Sequence, residues 1–341
     1  RYNTNFILIT ERIMFGKKGQ ESFEPYEIQP LAEKYFDFQL EPRMRYEMYY
    51  CILRAQARMA AWDKCGYFDM VPEETRGYTT DMRPPPLGSF EWPRKLPEKV
   101  RQRQIKQGSM LQKLWNEFLG EKAKQCFPKE LSEPAFLQAL LDAAYDITGW
   151  KDDVGMYNWL FPDYIGMSHS NLQSDNAYYW RNADGEMDCG IIDWGGLSPG
   201  HIGQRLMGSI TSAEGEVLDE HEDGLLQCWR DEYAAECGLQ CDFHELKRTW
   251  YLGFMTYLYS MGMNIETEVF RQTPREEWKT ITTLMDERAA GQWNCRCYIF
   301  MIDHALKYLY LRWKRGGKGK RLHIHTTFEE WKEFWKAKGM T

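Results

Sequence analysis

The sequence predicts an α+β protein that is predominantly helical and carries one small β-hairpin. Two observations lead to this fold class. Apolar residues recur at the spacing of an amphipathic helix in several long stretches, of which 46–62 is the first, so each stretch has one face for a core. Residues 177–180 and 189–192 are instead short apolar or aromatic runs on either side of a polar turn at 182–185, which is typical of a hairpin.

The first element of the chain is a predicted buried strand at residues 5–13. This run is rich in Ile, Phe and Thr and precedes a turn between Gly16 and Gly19. The helix at 46–62 follows it. Residues 77–97 then contain five prolines, which helix interiors exclude, so we expect an extended loop or an insertion there.

Further helices are predicted along most of the remaining chain by apolar stripes of helical period. We expect Gly238 to end one of them as a C-terminal cap. Thr327 and Glu330 have the spacing of a capping box at the start of the last helix. The expected helices cover residues 97–124, 132 to just before 149, 214–236, 244–262, 275–290, 294–314 and a last segment from 327 onwards.

Composition argues against binding to nucleic acid, because the 341 residues carry a net charge of −7. One stretch, residues 312–321, is strongly basic although the net charge of the chain is negative. We interpret it as a solvated linker, and the less favoured alternative is a binding site for an anionic partner. Aromatic residues make up 15% of the chain. This content favours a thick helical core or a buried interface over a cofactor site.

The cysteines predict an intracellular location. There are nine of them, scattered without the spacings of secreted disulfide frameworks, so we expect reduced thiols in a reducing compartment, the cytoplasm or an organelle, and no secretion. No run of about 18 apolar residues occurs, so no transmembrane segment is expected. No charged and then apolar leader follows Arg1, and because this first residue is not Met we expect a processed chain or a fragment.

The most informative stretch runs from Met167 to Leu206. A loop with His169 leads to Asn176, and the predicted hairpin brings Asn176 and Asp193 towards the same end. Two oxygen donors at such a place are what a Mg²⁺ ion that bridges nucleotide phosphates needs. The alternative is a polar loop in which the aspartate only caps its own turn.

This stretch resembles the aminoglycoside phosphotransferase and choline-kinase-like branch of the protein-kinase fold. In that family the loop has the pattern H-x-D-x-x-x-x-N, and a short hairpin leads from it to I-D-W or I-D-F, a glycine and an Asp-Leu pair. The positions that correspond here are His169, Asn171, Asn176, Ile192, Asp193, Trp194, Gly200 and Leu206.

The resemblance implies a division of the chain and a set of site residues. Residues 1–20 would be a remnant of the small lobe and the interlobe hinge, and residues 21–341 a helical large lobe with the proline-rich insertion near 77–97. The hinge backbone at Glu11, Arg12 and Ile13 would receive the adenine of ATP. Asn176 and Asp193 would hold Mg²⁺, and His169 would pack and bond within the catalytic loop.

Three departures from the family pattern decide the functional interpretation. Asn171 stands where the family has its catalytic aspartate, and an amide cannot take up the proton of an acceptor hydroxyl at neutral pH. Gln204 and Arg205 precede Leu206, where the family has an acid that braces the loop. No glycine-rich phosphate loop precedes residue 5. Asp175 is expected to be a turn residue and not a replacement base.

Two hypotheses of different classes follow. The first is a degenerate, kinase-like protein that acts as a scaffold or accessory subunit, needs no cofactor and has a protein partner or belongs to a larger complex. The second is an active, ATP- and Mg²⁺-dependent phosphotransferase that acts on a hydroxyl or amino group of a small molecule and whose N-terminal lobe is missing from this sequence. A third interpretation is that the motif match arose by chance and that the protein is an unrelated helical one.

Overall fold

The fold is known from a computed structural model that describes residues 12–36, 40–70, 97–159, 161–316 and 321–340. In these ranges the protein is predominantly helical and has two small antiparallel sheets, so the predicted α+β class is confirmed at this level. The predicted strand at 5–13 lies outside the described residues apart from Arg12 and Ile13. The proline-rich segment 77–97 lies outside them apart from Pro97.

The described helices agree largely with the periodicity of the sequence. Two of them, Glu98–Trp115 and Phe243–Asn264, continue as π-helical turns at Asn116–Lys122 and Ile265–Phe270. The α-helices in chain order are α1 Pro42–Lys64, α2 Glu98–Trp115, α3 Pro134–Asn158, α4 Ile202–Arg205, α5 Met207–Ile210, α6 Gly215–Cys237, α7 Phe243–Asn264, α8 Glu287–Ala290, α9 Trp293–Gly316 and α10 His323–Ala337.

Three helix predictions were wrong at their ends or in kind. Helix α3 was expected to stop before Gly149 but continues to Asn158, because the apolar stripe with Val154 and Tyr157 is buried beyond the glycine. Residues 275–290 form only a 3₁₀ turn and the short α8. Helix α10 begins at His323 and not at Thr327, so no capping box forms.

Four short strands form the two sheets. Strands β2 Ala177–Arg181 and β3 Met187–Ile191 make the predicted hairpin. Strands β1 Ile165–His169 and β4 Leu197–His201, which sequence analysis missed, pair antiparallel with His169 opposite Leu197. In sequence order, β1 precedes the hairpin and β4 follows it. Because these two strands pair, the loop after β1 lies against the loop that leads into β4.

Helix α1 lies directly against the sheet that carries the motif loop. A Cβ atom at Gly166 in β1 would meet Ala60 of α1 at 3.1 Å, so the glycine permits this close approach. On its other side α1 packs along α6. The strand that ends at His169 is thus supported by one of the longest helices of the fold.

The aromatic residues build the helical core, as predicted. Helix α7 lies in the middle, in contact with α3, α4, α9 and α10. The fully buried tryptophans of the described residues are Trp115, Trp229, Trp250, Trp278, Trp313, Trp331 and Trp335.

Three expectations, on a membrane span, on the cysteines and on the basic stretch, can be compared with the structure. Among the described helices, none has both the length and the apolar character required to cross a bilayer. All nine cysteines are free thiols. The basic stretch predicted as a linker begins inside α9, where Arg312 and Arg315 bind Asp219.

Candidate functional site

His169 ties the end of β1 to the end of the hairpin. Its imidazole is almost fully buried, and its Nδ1 accepts a hydrogen bond from the Asn171 backbone N–H at 3.2 Å. The ring proton therefore sits on Nε2, which donates to the backbone oxygen of Asp193 at 2.7 Å. The histidine thus joins the loop after β1 to the segment after β3. Both of its ring nitrogens are used in these two hydrogen bonds.

Asn176 holds the loop from its other end. Its Nδ2 donates to the backbone oxygen of Asn171 at 2.6 Å, and its own backbone oxygen accepts from the Ile192 N–H at 3.0 Å. The structure thus brings Asn176 next to the residue that precedes Asp193, as the hairpin predicted. The Oδ1 atom of Asn176 accepts no hydrogen bond from the described residues and has lone pairs for an external partner.

Asn171 lies at the exposed point of the loop that these bonds organise. Its backbone is held by His169 and Asn176, whereas its side-chain amide makes no hydrogen bond within the described part of the chain. The loop geometry therefore depends on main-chain atoms of residue 171 and not on the nature of its side chain.

Asp193 has a left-handed backbone with φ 56° and ψ 55°. This conformation costs about 1 kcal/mol for a residue with a Cβ atom. It allows the Asp193 carbonyl to accept the bond from His169, while the carboxylate is exposed and makes no hydrogen bond to any described side chain or amide. A conformational cost at an unbonded carboxylate is the kind of feature that function, more than stability, explains.

A pocket of about 910 Å³ opens beside Asp193. Two of the residues expected to receive adenine, Arg12 and Ile13, line it together with Met14, while Glu11 lies outside the described residues. Its volume is in the range of small-molecule sites. The remaining lining residues are Ile28, Tyr178, Ile191, Ile192, Asp193, Trp194 and Gly195.

Asp175 is a site residue that sequence analysis underestimated. It lies in a 3₁₀ turn, Ser174–Asn176, as a turn residue should, but its carboxylate is largely buried and its Oδ1 has no hydrogen-bond partner. Burial raises the pKa of Asp175, Lys34 lowers it and the charge of Asp193 raises it. The two carboxylates are therefore close enough to repel each other, which an approach by a cation would relieve.

These oxygen atoms fit the donor set that Mg²⁺ prefers. The exposed carboxylate of Asp193, the unbonded Oδ1 of Asn176 and the unpartnered Oδ1 of Asp175 are all hard oxygen ligands near one end of the hairpin. The ion would remove the repulsion between the two acids. The donor chemistry is thus compatible with the predicted metal site.

Gln56 of α1 braces the loop in place of an acid near Leu206. Its Nε2 donates to the His169 backbone oxygen at 2.7 Å and to Ser209 Oγ at 3.0 Å, and its Oε1 accepts from the His169 N–H at 3.1 Å. Arg205, at the expected brace position, binds Ser198 and Pro199 of β4 instead. No local pattern indicates this role, because Gln56 is 113 residues from His169.

The site belongs to a predominantly helical protein in which two small sheets bring a histidine loop and an aspartate turn together. Comparison of the chain with protein-family models gives no match. Neither curated proteins nor solved structures match it. The functional interpretation therefore depends on the geometry of the site itself.

Proposed function

We propose that this chain is a kinase-like protein of the aminoglycoside phosphotransferase and choline-kinase type that lacks its catalytic base and acts as an accessory subunit or scaffold. The observation that carries the proposal is the state of Asn171. The loop around it is held by His169 and Asn176, yet the exposed side chain at its point is an amide. A loop with this organisation and without a carboxylate keeps the fold of a catalytic loop and loses its proton acceptor.

An amide at residue 171 slows the reaction because it cannot act as a general base. A positioned general base contributes on the order of 10²–10⁴-fold to a proton-transfer step. Phosphoryl transfer also depends on the positioning of charge, so a slow residual reaction is compatible with the remaining groups. In an accessory subunit or scaffold this slow reaction plays no part, because the function is performed by the protein surface that binds the partner.

A protein partner is the kind of partner that the surface favours. Met14 is 68% exposed and Trp194 is 51% exposed, and both line the large pocket beside Asp193. Aromatic and methionine side chains are enriched at interfaces between proteins. The net charge of −7 disfavours a nucleic acid in the same place.

An active phosphotransferase is the second candidate, and the acids favour it. Asp193 and Asn176 would hold Mg²⁺, and Mg²⁺ would supply positive charge for the phosphates of ATP in the large pocket. The carboxylate of Asp175, which the charge of Asp193 repels, would be a further oxygen ligand for this ion. The acceptor would then be a small molecule with a hydroxyl or amino group.

Calorimetry with MgATP on the complete chain, followed by a turnover assay, separates the two candidates. The panel contains the wild type, Asp193→Ala, Asn171→Asp and, as an exposed control on α6, Asp231→Ala. For an accessory protein we expect no ATP turnover by the wild type with hydroxyl or amino compounds. Steady turnover that is lost in Asp193→Ala and kept in Asp231→Ala would replace the first candidate by the second.

A further inference from the structure

A second, smaller pocket is lined mainly by residues between positions 170 and 208. Its volume is about 230 Å³, and it shares no lining residue with the large pocket. Ser170 from the histidine loop, His201 from the end of β4, and Gln204 and Arg205 from α4 contribute its polar groups. None of the described residues that line it is acidic.

Arg205 brings to this pocket a positive charge that binds only neutral acceptors among the described residues. Its Nη2 donates to Ser198 Oγ at 3.0 Å and to the Pro199 oxygen at 3.1 Å, which are both neutral acceptors. Within the described ranges its partners are these two neutral oxygens and no carboxylate pairs with it, and burial lowers its pKa. An arginine keeps its charge in a protein, so a largely buried guanidinium of this kind favours an anion from outside.

His201 adds an unpartnered ring to the same place. It is only 2% exposed, its ring stacks on Tyr164 at 5.6 Å, and neither of its nitrogens has a hydrogen-bond partner in the described structure. Burial lowers its pKa to about 3, so the ring is neutral near pH 7 and offers one N–H donor. Buried polar groups in native proteins are normally satisfied, and an unsatisfied one calls for a ligand or an explanation.

Ser170 and Gln204 complete a set of donors. The backbone N–H of Ser170 donates to Gly196, whereas its hydroxyl makes no hydrogen bond to described residues. The Oε1 of Gln204 accepts from Asn158 at 2.8 Å, which leaves the two N–H groups of its amide free to donate. The polar groups of the pocket are thus predominantly donors around one cation.

We propose that this pocket binds an oxyanion, the phosphate or carboxylate group of a small molecule, through Arg205, Ser170 and Gln204, next to the buried ring of His201. Charge-assisted bonds from a guanidinium to such a group are among the strong polar contacts of proteins. The volume suits a small anionic group and not a whole nucleotide. The inference is independent of nucleotide binding, because the two pockets are lined by different residues.

Titration calorimetry of the complete chain with inorganic phosphate, and separately with succinate, identifies the anion. Sodium chloride at matched ionic strength serves as the background. We expect one of the two oxyanions to bind and Arg205→Gln to weaken it by about tenfold or more. Arg271→Gln removes the same charge from an exposed arginine on the surface, and we expect it to leave the affinity unchanged.

Circular dichroism of each variant separates loss of the ligand site from loss of the fold. If Arg205→Gln does not fold, Ser170→Ala carries the test, because it removes only the hydroxyl, and we expect affinity to fall by roughly threefold. The proposal is overturned if neither oxyanion binds at millimolar concentrations. It is equally overturned if the folded Arg205→Gln variant, or Ser170→Ala in its place, binds as well as Arg271→Gln.

Discussion

The side chain of Gln56 forms hydrogen bonds with both main-chain polar groups of His169, at 2.7 Å to its oxygen and 3.1 Å from its nitrogen. The amide thus pairs with β1 as a neighbouring strand would, although it belongs to helix α1. A third bond extends from Gln56 to Ser209. The histidine loop is therefore held from behind by a helix and in front by the Asp193 carbonyl.

Replacement of Gln56 by Leu should destabilise the protein strongly. The change leaves the buried N–H and oxygen of His169 without partners, and each such loss costs about 1–3 kcal/mol. We expect the free energy of unfolding in urea to fall by about 3 kcal/mol. Gln227→Leu, which removes a surface amide bonded to Asp231, is the matched control and should change it by less than about 0.5 kcal/mol. A small effect of Gln56→Leu would show that the brace is dispensable.

The buried carboxylate of Glu222 is a second point on which the fold depends. It is inaccessible to solvent and joins three helices by accepting from Trp250 at 2.8 Å, from Tyr251 at 3.0 Å and from Tyr308, and it pairs with Arg312 at 3.1 Å. Glu222→Ala leaves the indole N–H of Trp250 and the hydroxyl of Tyr251 without an acceptor, whereas Arg312 keeps Asp219 and Tyr308 keeps His323, so we expect a loss of about 3 kcal/mol in urea unfolding. The control is Glu220→Ala, an exposed glutamate on the same helix. Similar results for both variants would contradict this role.

The pattern of apolar and aromatic residues predicted those parts of the fold that are local. The hairpin follows from two short runs around a polar turn, and Gly238 ends α6 with φ 75° as expected of a cap. Strand β4 could not be recognised, because Leu197–His201 contains a proline and a glycine and pairs with a strand about thirty residues earlier in the chain. Gly149 is tolerated inside α3 because tertiary burial outweighs its low helix propensity.

In the candidate site, too, the features that depend on local sequence spacing were predictable. The motif spacing identified His169, Asn176 and Asp193 as neighbours, since a hairpin of known length connects them. The brace from Gln56 and the charged environment of Asp175 depend on packing between distant segments, which spacing does not encode. Asp175 in particular was correctly expected in a turn, but the burial of its carboxylate depends on packing that the turn residues do not reveal.

Buried histidines make stability depend on pH in a definite direction. His304 is fully buried, its Nδ1 donates to the Ser212 oxygen at 2.9 Å, and burial lowers its pKa to about 4 from the usual 6.5. The unfolded chain therefore binds more protons than the folded one between pH 6.5 and 4. The stability that depends on a neutral His304 is fully present above pH 6.5 and is lost as the pH falls towards 4.

Unfolding in urea at several pH values measures this effect. We expect the pH slope of the unfolding free energy between 6.5 and 4 to be smaller in His304→Gln than in the wild type, by up to about 1.4 kcal/mol per pH unit. His244→Gln, at an exposed position, should keep the slope of the wild type. Equal slopes in all three proteins would mean that His304 titrates alike in the folded and unfolded chains.

The left-handed backbone of Asp193 predicts a conflict between stability and ligand binding. Glycine adopts φ 56° without the steric cost of a Cβ atom, so Asp193→Gly should be more stable than Asp193→Ala by about 1 kcal/mol in urea unfolding. The carboxylate is exposed and unbonded within the described residues, so its removal costs little stability in either variant. This result would favour a role of the Asp193 carboxylate in ligand binding over a role in stability. Mg²⁺ titration of the three proteins completes the test, since both variants should lose any Mg²⁺ affinity of the wild type, and an Asp193→Ala protein as stable as Asp193→Gly would remove the evidence for backbone strain.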